Sequence, residues 1–272
     1  MKVNIFITTY NAVDDLNNCL KSLFESDINK VEYSVNIINN NTNFKLINNY
    51  NVKIYNNQCR PDFSTGHLSR TWNQCIINGF KSITNPDCDV LITMQDDQIL
   101  KNNWFSLLLP HIEKNSFIEI GGGDIMCIYK PSSIYNVGLW DERFCGIGYQ
   151  EGDYFLRQLI YNKENISIND YCHGRIYNPI YAISNRKREI DNEYLRVPSR
   201  NSVRSTAHHK SAAYHDLCNK FFLLKWGIES IDWNIEHIKN NVTPKIDSYI
   251  MYPYFEYQLN LPELRLQRYF VI

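Results

Sequence analysis

The sequence predicts an α/β fold built around parallel strands, on three observations. Short apolar runs rich in β-branched residues, such as Val3 to Ile7 and Ser34 to Ile38, alternate with segments whose apolar residues recur at helical spacing. Strand, helix and strand follow one another between Val3 and Ile38, a βαβ unit, and such units require parallel pairing. The length of 272 residues, with 44% hydrophobic and 21% charged, allows one large α/β domain with a modest appendage.

Val3 to Ile7 runs into the polar Thr8-Thr9-Tyr10-Asn11 and then Asp14-Asp15, residues that favour a helix start. Leu16, Cys19, Leu20, Leu23 and Phe24 then fall on one helical face, and the second strand, Ser34 to Ile38, ends in Asn39-Asn40-Asn41. Val52 to Tyr55 reads as a third strand, and past the loop at Pro61 and Gly66 a helix carries Leu68, Trp72, Cys75, Ile76 and Phe80 on one side. Asp89 to Met94 is a buried strand that ends in Gln95-Asp96-Asp97-Gln98. Ligands of open α/β sheets sit beyond the carboxyl ends of the strands, so the Tyr10-Asn11 end and the Asp96-Asp97 end are expected to face one crevice.

Trp104, Leu107 and Leu108 suggest a further helix, and Phe117 to Ile120 and Ile125 to Tyr129 further strands around Gly121-Gly122-Gly123. Phe155, Leu156, Leu159 and Ile160 belong to a helix whose first turn holds Glu151 and Asp153. Arg186 to Arg204 is polar and poorly periodic, the expected long loop. From Ser211 the pattern is helical again, through Tyr214, Leu217, Cys218, Phe221 and Leu224, to Lys225-Trp226-Gly227. The expected division is a main domain over 1–210 and a C-terminal helical extension over 211–272.

A net charge of -1 removes the electrostatic attraction that a nucleic-acid-coating protein needs. The eight cysteines, Cys19, Cys59, Cys75, Cys88, Cys127, Cys145, Cys172 and Cys218, form no Cys-x-x-Cys pair, and reduced, mostly buried thiols are expected. The opening apolar run is too short for a signal peptide and no stretch is long enough to span a membrane, so a cytoplasmic location is expected. The aromatic-rich tail from Tyr249 to Ile272 needs covering, by its own domain or by a second subunit in a soluble homodimer.

Asp96 and Asp97 at a strand end can hold a hard divalent cation, which takes oxygen ligands and keeps waters and substrate phosphates besides; capping of a helix is the alternative. Glu151 and Asp153, at a loop-to-helix junction, can supply a general base or serve as ordinary acidic residues of a helix start. His208 and His209 precede a helix and can complete a metal site, although histidines are more often surface or hydrogen-bonded core residues.

Taken in order, Phe6-Ile7-Thr8-Thr9-Tyr10-Asn11, Ile37-Ile38-Asn39-Asn40-Asn41-Thr42, Thr93-Met94-Gln95-Asp96-Asp97, Gly138 to Phe144, Tyr149 to Arg157, His208-His209 and Lys225-Trp226-Gly227 resemble the GT-A glycosyltransferases of the family 2 type. The resemblance implies a Rossmann-like nucleotide-binding mixed sheet flanked by helices. It also implies inverting transfer of a sugar from a nucleotide sugar, a UDP-sugar foremost, to a hydroxyl of a glycan or other acceptor, with Mn2+ or Mg2+. It would place Thr8, Thr9, Asn11 and Asn39 in the nucleotide pocket, Asp96 and Asp97 at the metal and diphosphate, Glu151 as base beside Asp153, and His208 or His209 near the metal.

Three positions depart from the family pattern. Asn39 stands where an Asp is common, Gln95 replaces the first acid of an Asp-x-Asp element, and Glu151 is one methylene longer than the usual Asp. A sugar-phosphate nucleotidyltransferase would need a Gly-rich signature after the first strand, which Thr8-Thr9-Tyr10-Asn11 lacks. A carbohydrate-binding or structural protein without turnover is the other alternative. Gln95 and Asn39 favour it, and the joint presence of Asp96, Asp97, Glu151 and Asp153 opposes it.

Overall fold

The computed structural model describes residues 1–10, 12–40, 46–47, 49–57, 67–120, 124–144, 149–161, 171–172, 175–176, 195–196 and 212–226. Strand β1 (Lys2–Thr9) lies inside a six-stranded sheet, with β2 (Glu32–Asn40) on one side and β4 (Val90–Gln95) on the other, both parallel to it. β3 (Val52–Asn57) extends the parallel part, and β7 (Met126–Tyr129) and β6 (Phe117–Ile120) complete the order β3-β2-β1-β4-β7-β6. β7 runs antiparallel to both of its neighbours, so the sheet is mixed.

A central strand covered on both faces should be apolar along most of its length, and β1 is. Val3, Ile5 and Ile7 point to one face, where they meet Leu16, Leu20 and Leu23 of α1 (Val13–Phe24) and Trp104 and Leu108 of α3 (Trp104–Lys114). Phe6 points to the other face, against Trp72, Ile76 and Phe80 of α2 (His67–Phe80). The same second core takes in Tyr154 and Phe155 of α5 (Tyr149–Tyr161) and Cys218, Phe222 and Trp226 of α6 (Ala212–Trp226). The expected α/β class, a mixed sheet flanked by helices with a C-terminal helix, is the one observed.

Several elements differ from the sequence expectation. β2 and β3 run on through Asn40 and Asn57, because the asparagine side chains bond one another across the parallel pair: Asn39 Nδ2 donates to Asn56 Oδ1 at 2.8 Å and Asn57 Nδ2 to Asn40 Oδ1 at 3.0 Å. A seven-residue helix, α4 (Pro131–Val137), opens on a proline and is too short for its periodicity to show. Within the expected loop at 186–204, β10 (Leu195–Arg196) pairs antiparallel with β5 (Ile99–Leu100), just past the Asp96-Asp97 turn. β8 (Tyr171–Cys172) and β9 (Arg175–Ile176) form a short antiparallel pair.

Cys19, Cys75, Cys88, Cys127 and Cys218 are buried free thiols, as expected. Among the described residues no helix is long and apolar enough to cross a membrane. Asn11, His208, His209, the 210/211 division and the tail from Tyr249, with its expected homodimer, lie outside the described residues.

Candidate active site

Because β1 to β4 are parallel, their carboxyl ends share one edge of the sheet. Thr8 lies opposite Gln95, Thr9 opposite Asn39, and Asn39 opposite Asn56. Thr8 and Thr9 are buried, and Thr9 Oγ1 has no hydrogen-bond partner among the described residues. Tyr10 and the Asp96-Asp97 pair therefore follow strands that end at one edge of the sheet, and Asn11 lies outside the described residues. The antiparallel β7 begins at this same edge: the Gln95 N–H donates to Ile125 O at 3.0 Å, which brings Asp124 beside the end of β4.

Asp96 and Asp97 follow β4 directly and are buried, at 6% and 5% exposure. Gln98 Nε2 donates to Asp97 Oδ1 at 2.5 Å, which fixes the orientation of that carboxylate. Burial raises the Cys19 thiol far above its ordinary value, and the nearby charges of Asp96 and Asp97 raise it further. Among the described residues no group of three or more His, Cys, Asp or Glu side chains could hold a metal ion. Two adjacent carboxylates still suit Mg2+ or Mn2+, because such ions are commonly held by one or two carboxylates, with water and substrate phosphate as the other ligands.

Asp124 is the residue the sequence reading missed. Its side chain is 4% exposed and accepts, among the described residues, from Trp72 Nε1 at 2.7 Å and Gln150 Nε2 at 3.1 Å on Oδ2 and from Gln95 Nε2 at 2.9 Å on Oδ1. Gln150 is held on its other side as well, since Ser69 Oγ donates to its Oε1 at 3.2 Å. The sequence signal was slight, one Asp between a glycine run and a four-residue strand.

Residues two apart on a helix project about 200° from one another, so Glu151 and Asp153 face different ways from α5. Asp153 faces α6. Arg157 Nε and Trp226 Nε1 donate to it at 3.0 and 3.1 Å, and Lys225 Nζ lies 2.5 Å from its Oδ1. Lys225 also bonds Asp141 at 2.9 Å, and Arg143 grips Asp141 with Nε at 2.9 Å and Nη2 at 2.8 Å. Arg157 Nη1 reaches Val137 O and Leu139 O.

Burial works to raise the Asp141 carboxyl, but the charges of Lys225 and Arg143 outweigh it and hold the group at about 2. Burial draws the Lys225 ammonium down to about 8, against the pull of Asp141 and Asp153, so it is still charged at neutral pH. Asp153 therefore ties α5 to α6.

Glu151 is buried, at 2% exposure. Burial lifts the Cys127 thiol of β7 well above its ordinary value, with the carboxylates of Glu119, Asp124 and Glu151 contributing. The structure thus brings Thr8, Thr9, Asn39, Asp96 and Asp97 to one edge and joins that edge to the start of the Glu151 helix through Gln95, Asp124 and Gln150. His208 and His209 lie outside the described residues.

No protein-family model matches the chain, and no curated protein sequence does. Similar solved structures include S. aureus TarS 1-349 in complex with UDP-GlcNAc, with 11% identity, 88% of this chain and 70% of that one covered, and a TM-score of 0.48. The same TarS fragment with UDP gives 12% identity over 58% of this chain and 56% of that one, with a TM-score of 0.43. The mannosyltransferase PcManGT from Pyrobaculum calidifontis, in complex with GDP-Man and Mn2+, gives 7% identity over 57% and 52%, with a TM-score of 0.42. The match with the UDP complex spans little more than half of that TarS chain, 56%.

Proposed function

We propose that the chain is an inverting glycosyltransferase that moves a sugar from a nucleoside-diphosphate sugar to an acceptor hydroxyl, with Glu151 as general base. The observation that carries this reading is the hydrogen-bonded connection, through Asp124, between the strand end that bears two buried carboxylates and the helix start that bears a third. Asp96 and Asp97 stand at the end of β4, and Glu151 stands at the start of α5, one hydrogen-bonded relay away. In-line displacement at a sugar carbon needs such a division, an anion-handling end and a proton-accepting end.

In the reaction, the Glu151 carboxylate takes the proton of the acceptor hydroxyl as that oxygen attacks the anomeric carbon. The new C–O bond forms on the face opposite the bond to the diphosphate. That bond breaks with its electron pair on the leaving oxygen, and the configuration inverts. Thr8, Thr9 and Asn39 line the nucleoside end, Asn11 is assigned to the same pocket on the resemblance alone, and a UDP-sugar is the donor this reading favours. Asp96 and Asp97 would hold Mn2+ or Mg2+, with His208 or His209 adjoining, and the bound cation would supply charge stabilisation to the departing diphosphate. Asp153 keeps α5 seated on α6 through Arg157, Lys225 and Trp226.

Calorimetric titration of UDP-glucose, UDP-N-acetylglucosamine and GDP-mannose with Mn2+ tests the donor end. Asp97→Ala is expected to fold and to lose Mn2+-dependent donor binding, and unchanged Mn2+-dependent affinity in that variant would overturn the assignment.

A further inference from the structure

The position of Asp124 between the two ends of the candidate site carries a consequence for the reaction. Gln95 immediately precedes Asp96, and Gln150 immediately precedes Glu151. Both of these amides donate to the one buried carboxylate, Gln95 to Oδ1 and Gln150 to Oδ2, while Trp72 of α2 bonds Oδ2 and fixes the carboxylate against the core. Ser69, also of α2, holds the far side of the Gln150 amide. β4, α2 and α5 therefore meet at a single side chain.

We propose that Asp124 is a positioning residue of glycosyl transfer, setting the distance between the diphosphate end at Asp96-Asp97 and the base at Glu151. This rests on the transfer reading above. Donors from three elements converge on this one buried side chain, so its position fixes theirs relative to one another. A misplacement of about 1 Å between reacting groups costs about 10²-fold in rate, which makes such a joint matter to turnover more than to binding. The same joint accounts for Gln95. An acid at that position would face the Asp124 carboxylate, whereas an amide donates to it.

The role is one of geometry, so an isosteric amide can fill it. In Asp124→Asn the side-chain oxygen keeps the bonds from Trp72 and Gln150, and the new NH2 faces position 95, where Gln95 can turn its amide over to accept. Gln95→Glu alone sets two carboxylates against each other, and Gln95→Glu combined with Asp124→Asn restores a donor–acceptor pair with the roles exchanged.

The test compares these variants and Asp124→Ala with the parent chain of 272 residues. It measures thermal midpoint and steady-state hydrolysis of UDP-glucose, UDP-N-acetylglucosamine and GDP-mannose with Mn2+. Asp124→Ala is expected to lose about 30- to 100-fold in kcat with donor KM within about threefold. Asp124→Asn is expected to keep at least about a fifth of the parental kcat. Gln95→Glu is expected to lose about tenfold or more, and the double variant to recover most of that loss.

A folded Asp124→Ala with kcat within twofold of the parent overturns the proposal. So does an Asp124→Asn variant as impaired as Asp124→Ala, which would mean that the charge and not the spacing matters. Should Asp124→Ala fail to fold, the exchange at 95 and 124 decides: absence of recovery in the double variant overturns the proposal. An unimpaired Glu151→Gln variant overturns the transfer reading itself. An impaired Glu151→Gln beside an unimpaired Asp124→Ala overturns the positioning role alone.

Discussion

Glu151 and Asp153 are two residues apart and face different ways from α5, and on the proposed reading substitutions should separate them. Glu151→Gln is expected to keep donor affinity and lower transfer by about 10²-fold or more, the scale of a lost general base, as read by steady-state kinetics and calorimetry on one preparation. Asp153→Asn removes the shared partner of Arg157 and Lys225 and is expected to cost about 3 kcal/mol of stability, because breaking one member of a buried ion set leaves the others uncompensated. Urea unfolding measures it.

Asp141 adds a pH signature. Its folded carboxyl sits at about 2, below the ordinary 3.8, so it contributes stability that is present above about pH 4 and is lost as pH falls towards 2. The contribution is about 2 kcal/mol, from roughly 1.4 kcal/mol per unit. Asp141→Asn should flatten the acid limb of the stability profile, and an unchanged limb would contradict the ion set. At this scale the sequence showed Asp96, Asp97, Glu151 and Asp153 as residue types in suggestive places. It did not show Asp124, or that Asp153 faces α6, because both facts depend on which elements meet in space.

Among the elements, α2 packs on the sheet at Gly79, whose carbonyl accepts from Asn4 Nδ2 at 2.8 Å. A Cβ there would meet Leu91 Cδ1 at 2.5 Å and Phe6 Cε2 at 3.3 Å, so the absence of a side chain lets the helix end lie on β1 and β4. Gly79→Ala is expected to cost about 1–3 kcal/mol through overpacking, despite the better helix propensity of alanine. Denaturant midpoints check it. β1, α1, α2 and β4 were legible because each has a strong period and a buried face. The ends of β2 and β3 were not, since an asparagine run reads as a loop until its amides find one another across a parallel pair. α4 hid behind its length, and the antiparallel direction of β7 left no mark in composition.

For the whole molecule, the two cores on opposite faces of the sheet leave the carboxyl edge as the place where polar side chains collect, and the acids stand there. α6 joins the second core through Phe222 and Trp226 and reaches α5 through Lys225, which lies against Asp153. On the proposed reading, this edge of the sheet transfers sugar with Glu151 as the proton acceptor. The most direct measurement is release of nucleoside diphosphate from UDP-glucose, UDP-N-acetylglucosamine and GDP-mannose by the parent chain and by Glu151→Gln, each with and without Mn2+. The expected result is Mn2+-dependent release by the parent from at least one donor, lowered about 10²-fold in Glu151→Gln with donor binding intact. Equal release by the two proteins, or none by the parent from any of the three donors, would contradict it.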